Sequence, residues 1–169
     1  AKREDSPDVD AVVANIIADV RARGDAAVIE LTAKFDRINL TPGTLRITEA
    51  EIDTGIAKVD AADRKALELA ADRISAYHAR QMPQDAEWRD EVGATLGWRW
   101  TPVSAAGLYV PGGTAAYPSS VLMNAVPAKV AGCPRVVMVV PAPDGKLNPL
   151  VLAAAKLAGG RAFVKLSAS

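Results

Sequence analysis

Apolar positions recur every three or four residues through the first half of the chain, then give way to short unbroken runs. The stretch "SPDVDAVVANIIADVRARGD" carries Val9, Val12, Val13, Ile16, Ile17 and Val20 at helical spacing. Ser6 can cap this helix, Pro7 suits its first position, Asp8 favours the positive end of the dipole, and Gly24 can end it. Asp25 is expected to cap a second helix over roughly Ala26 to Phe35. Thr48 to Glu51 spell a capping box, "TEAE", for a short helix. Asp60 then caps a long helix whose stripe includes Leu67, Ala70, Ala71, Ile74 and Tyr77. Residues 1–82 thus read as a helical arm whose apolar stripes need a partner surface.

Residues 83–104 change period. In "ATLGWRWTPV", Leu96, Trp98 and Trp100 alternate on one face, as in a strand of a hairpin. Such tryptophans serve as core or interface aromatics more often than as a platform for bases, and no basic run accompanies them.

From residue 105 to 169 the pattern is strand, helix, strand, helix, strand. "AAGLYV" is an apolar strand and "PGGTAAYP" a loop. "SSVLMNAVPAKVAG" is a helix capped by Ser119 or Ser120 and kinked at Pro127. "PRVVMVVP" reads as a strand buried on both faces, and "APDGKL" as a second loop. "NPLVLAAAKLAGG" is a helix with Asn148 as cap, Pro149 first and Gly159 as stop; "RAFVKL" is the last strand. Right-handed connections make such a sheet parallel and cover it with helices. The expected fold is α/β, the mononucleotide-binding half of a doubly wound sheet behind a helical segment and a short hairpin.

Composition narrows the partners. Half of the 169 residues are hydrophobic, and 20 Lys+Arg balance 20 Asp+Glu. That describes a soluble globular chain with no net basic field for nucleic acid and no polybasic patch for a membrane. No apolar run reaches transmembrane length and no signal peptide precedes residue 1, so the expected compartment is the cytoplasm. The start without Met points to sequence in front. A single cysteine, Cys133, excludes an intramolecular disulfide and reads as a packed small hydrophobe after Gly132.

Candidate chemistry lies at the carboxyl ends of the strands, where open parallel sheets bind ligands. The loops Pro111 to Pro118 and Pro141 to Leu147 leave those ends. Gly112 and Gly113 permit close approach of a ligand, the helix near Ser119 points N–H groups at the crevice, and Tyr109 and Tyr117 flank it. A tight turn with packed tyrosines is the alternative. Neither usual phosphate-binding motif is present. The one histidine, His78, sits near a helix end, where a cation is an ordinary stabilising feature. With one His and one Cys, the sequence offers no nitrogen/sulfur zinc site, and Ser119 and Ser120 have no evident base partner. No catalytic or metal-ligating residue is assigned.

"VRARGDAAVIELTAKFD", "AYHARQMP", "RWTPVSAAGLYVPGGTAAYPSSVLMNAVPAKVAGCPRVVMVVPAP" and "NPLVLAAAKLAGG" together resemble the N-terminal part of the histidinol dehydrogenases, from about Val9 to Gly160. The resemblance implies an incomplete Rossmann-like β-α-β-α-β unit and a zinc-dependent homodimer. It implies oxidation of L-histidinol to L-histidine with NAD, in histidine biosynthesis. It carries NAD contact to Tyr109 and the shaping of the cofactor mouth to Gly112 and Gly113. The family's Glu–His acid/base pair and its zinc ligands have no counterpart here, so this chain by itself is expected to be inactive, with weak NAD binding or none and no zinc. A homodimer through the apolar arm is expected. A stand-alone nucleotide-binding or dimerising module, or part of a related alcohol dehydrogenase such as sulfopropanediol dehydrogenase, are the alternatives.

Overall fold

The computed structural model describes residues 7–110, 117–140, 142, 145–159 and 162–165. The helical stripes form α1 (Pro7–Arg23), α2 (Asp25–Asp36), α3 (Glu49–Ile56) and α4 (Ala61–Ala79). A hairpin follows, β1 (Ala86–Arg89) and β2 (Thr95–Trp98), and then β3 (Ala106–Tyr109), α5 (Pro118–Val130), β4 (Val136–Val140), α6 (Pro149–Leu157) and β5 (Ala162–Lys165). The second half is the expected incomplete Rossmann-like unit: three strands in the order β3-β4-β5, parallel throughout.

Local chemistry places most of the boundaries. Thr48 accepts from the Glu51 N–H, and the Glu51 carboxylate accepts from the Thr48 N–H at 2.8 Å, closing a reciprocal capping box. Asp60 caps α4 through the Asp63 N–H at 2.8 Å. Gly24, with φ 57°, breaks α1 from α2 where a side chain would strain the backbone. Asp25 does not cap α2. Gly24 holds the cap position with no side-chain bond, and Asp25 is the first helical residue, where its charge still favours the dipole. Ser6 lies outside the described residues.

The core lies between stacked layers. α5 and α6 pack together beneath the sheet, and α4 and α3 pack on them from the other side. Leu108, Val110, Met138 and Val140 meet Val121, Leu122, Val126, Val151 and Leu152, with Ile52, Val59 and Leu67 closing the far side. Helix α6 is the inner layer, with Val151 to Ala155 all buried. That explains why "LVLAAA" is apolar around its whole circumference, not along one stripe.

Two sequence expectations need correction. β4 is not buried on both faces: Met138 and Val140 are buried, whereas Val137 and Val139 on the opposite face are only half-buried. Both helices lie on one side of the sheet, and no described helix covers the other. Tyr77 is exposed and does not join the α4 stripe, because α5 and α6 cover only the Leu67–Ile74 portion. Helix α5 contains Pro127 within its span.

The arm formed by α1 and α2 keeps its apolar stripe open, with Val9, Val12, Val13 and Ile17 all exposed. The two helices pack mainly on each other. Arg23 ties them, bonding Asp19 at 2.6 Å within α1 and Glu30 of α2 at 2.8 Å. The hydrogen bond from Arg23 holds the Asp19 carboxyl below its usual range.

Helices α3 and α6 are clamped by an ion pair between Asp53 and Lys156, and by Gly55, where an added Cβ would sit 2.5 Å from Leu152 Cδ1. Leu152 is itself buried and has little room to yield. Gly55→Val is therefore expected to cost about 1–3 kcal/mol by overpacking. At Gly43 an added Cβ would meet nothing closer than Thr41 Oγ1 at 3.9 Å. Gly43→Ala should stay within about 0.5 kcal/mol. Urea midpoints at unchanged m-value measure both.

Candidate functional site

Strand β3 carries Tyr109 to the carboxyl edge of the sheet. Alternation along the strand sends Leu108 and Val110 into the core and Tyr109 to the opposite, open face. The Val110 N–H bonds the Val139 carbonyl at 3.1 Å, so the strand end is held to β4. Tyr109 pairs in register with Val139, and its side chain is exposed. Gly112 and Gly113 lie outside the described residues.

Two helices begin at this carboxyl edge, and they begin differently. α6 is closed: Asn148 Oδ1 accepts from Leu150 N at 2.9 Å and from Val151 N at 3.4 Å. Among the described residues α5 has no side-chain cap. Tyr117 occupies its cap position and Pro118 its first position, so neither Ser119 nor Ser120 caps it, contrary to the sequence expectation. Proline there fixes the helical φ early and moves the start upstream of both serines. The Tyr117 carbonyl accepts from Ser120 N at 3.1 Å, and the Tyr117 ring is exposed beside the helix start. Among the described residues the edge therefore presents one capped helix end and one without a side-chain cap, flanked by two exposed tyrosines. Backbone N–H groups and the dipole at an uncapped end favour a negatively charged ligand.

The other candidate groups are placed elsewhere. His78, in the last turn of α4, packs edge-to-face with Tyr77 at 5.3 Å between ring centres. Cys133 donates to its neighbour Arg135 through the carbonyl oxygen, at 3.4 Å. Among the described residues no group of three His, Cys, Asp or Glu side chains is arranged to hold a metal ion. The tryptophans are not core residues of this chain. Trp88, Trp98 and Trp100 are all exposed, because the hairpin stands away from the helices.

The family model for histidinol dehydrogenase matches residues 1–168. The chain belongs to the histidinol dehydrogenase family. A histidinol dehydrogenase from Cereibacter sphaeroides is 69% identical over 165 residues, covering 98% of this chain and 38% of that protein. One from Ruegeria pomeroyi is 70% identical over 159 residues, covering 94% and 37%. The crystal structure of histidinol dehydrogenase from Elizabethkingia anophelis superimposes with a TM-score of 0.90 at 30% identity, over 98% of this chain and 38% of that one. The chain thus spans well under half the length of these family members.

The sequence placed Tyr109 and Tyr117 at the carboxyl edge with the start of α5 beside them, and only the α5 cap, given to Ser119 or Ser120, differs in the structure. Pro118 directly before the serines was the available signal, since proline belongs at the first helical position. The capping contrast has a direct readout. Asn148→Ala should cost about 1 kcal/mol. Ser119→Ala should change stability by less than about 0.5 kcal/mol, because that hydroxyl caps nothing. Thermal or urea melts of the two variants distinguish these outcomes.

Proposed function

We propose that this chain supplies one wall of the NAD crevice of a histidinol dehydrogenase, with residues 105–169 as the cofactor-facing unit. The observation that carries the reading is Tyr109, exposed at the carboxyl end of β3 beside the uncapped start of α5. Tyr109 offers a ring and a hydroxyl to the nucleotide, and the α5 amino end favours its phosphates. Gly112 and Gly113 belong to the same proposal as residues that let the cofactor approach the backbone. NAD, when bound, accepts hydride from an alcohol carbon; this chain's part is to bind and orient it.

In this reading the groups that move protons and polarise the substrate, and zinc, belong to the intact enzyme, and with them the oxidation of histidinol to histidine. Homodimerisation through the α1 stripe and a cytoplasmic setting belong to the same proposal. Among the described residues no helix is long and apolar enough to cross a membrane.

Binding to the folded chain alone raises its melting temperature by mass action. At about 100 times Kd the stabilisation is about 2.7 kcal/mol, or roughly 5–10 °C for a domain of this size. A melt in millimolar NAD is expected to show an upward shift that Tyr109→Ala abolishes. No shift in the native chain, or an equal shift in both, sinks the assignment. Histidinol, NAD and zinc added to the pure chain should give no turnover above background.

A further inference from the structure

We propose that the cavity at the base of the β1–β2 hairpin binds a small organic cation, an alkylammonium group with a compact apolar body. The cavity lies at the carboxyl end of α5, whereas Tyr109 stands beside the amino end of that helix, so the inference is independent of the NAD reading.

The cavity encloses about 450 Å³, within the range of roughly 300–1,000 Å³ that suits a small ligand. Three parts of the chain build it. Met82 and Pro83 follow α4, Trp100 and Pro102 follow the hairpin, and Ala131 is the C-cap of α5. Asp85 completes the wall and is the only charged residue in the lining. The Trp100 N–H donates to Asp85 Oδ1 at 2.7 Å. That bond ties the segment entering the hairpin to the segment leaving it, so the carboxylate is fixed beside Trp100 before any ligand arrives. A carboxylate has about four lone-pair positions, and this bond takes one of them.

The electrostatic features of the lining share one sign. Asp85 carries a negative charge. The Trp100 ring is 59% exposed, and an indole face attracts cations more strongly than a phenol or a phenyl ring does. The carboxyl end of α5, at Ala131, is the negative end of the helix dipole. An anion is repelled by all three. A bare metal ion is poorly matched too, since hard cations take six or more oxygen ligands and the lining offers one carboxylate. Met82, Pro83 and Pro102 supply apolar wall, with a polarisable thioether among it. The ligand that uses every part of this lining carries its positive charge on a nitrogen sheathed in carbon: charge toward Asp85 and the helix end, methyl or methylene groups against the indole and the prolines.

The test follows the indole Nε1–H signal of Trp100 by nuclear magnetic resonance while this chain is titrated with tetramethylammonium chloride. Trp100→Phe identifies the signal, and sodium chloride at equal ionic strength is the control. The Trp100 signal should shift saturably at millimolar ligand while those of Trp88 and Trp98 stay in place. Asp85→Asn keeps an oxygen to accept from the Trp100 N–H and removes the charge, so it should raise Kd about three- to tenfold with unchanged helical circular dichroism. tert-Butanol, similar in shape and neutral, should bind the native chain more weakly by a comparable factor, a comparison that holds whether or not the variant folds. The proposal is overturned by no saturable shift, by an equal shift in sodium chloride, by equal binding of tert-butanol, or by a folded Asp85→Asn variant that binds as tightly as the native chain. It is also overturned if the Trp100 signal moves with protein concentration alone, which would put a lysine of a second copy in the cavity.

Discussion

Handedness is the constraint on which this structure rests. Two parallel connections run in the same direction across the sheet, from β3 to β4 to β5. A right-handed crossover repeated in one direction returns both helices to the same side. α5 and α6 accordingly pack against each other. That side becomes the core, and α3 and α4 close it from beyond the helices. The opposite side, with Val137, Val139 and Tyr109, has no such cover among the described residues.

The same constraint positions the candidate site. Alternation along β3 must send Tyr109 away from the helices once Leu108 and Val110 face them. The parallel sheet gathers the starts of α5 and α6 at one edge, beside Tyr109. Which of those starts can greet a ligand is then decided by two short side chains. Asn148 closes α6, while Pro118 displaces the serines that would have closed α5. An anion site at such an edge is as much a matter of what fails to cap the helix as of the helix itself.

Three kinds of apolar surface coexist in the chain, and they differ in how fully they are buried. The α6 surface is enclosed on all sides. The stripe of α4 is enclosed as far as Ile74 and then opens at Tyr77. The α1 stripe and the aromatic face of the hairpin are open to water. Contiguous open apolar surface of this kind is uncommon on a monomeric soluble protein.

Much of the local structure was legible from the residues. The Thr48–Glu51 box, the Asp60 and Asn148 caps, the break at Gly24 and the stops at Gly132 and Gly159 depend on neighbours within a few positions. Side chains that act over such distances announce themselves in sequence. The alternation of strand and helix that makes the sheet parallel is legible for the same reason. The burial of β4 was not: its Val-rich run suits a strand covered on both faces, and only the placement of α5 and α6 showed that one face is open. Nor were the fates of Tyr77 and the tryptophans, since helical or strand period shows which residues share a face and not what that face meets. The sequence by itself determined the elements and their order, because propensity, capping and period are short-range. Only the tertiary structure decided which faces are covered, because burial depends on what other elements bring to the same place.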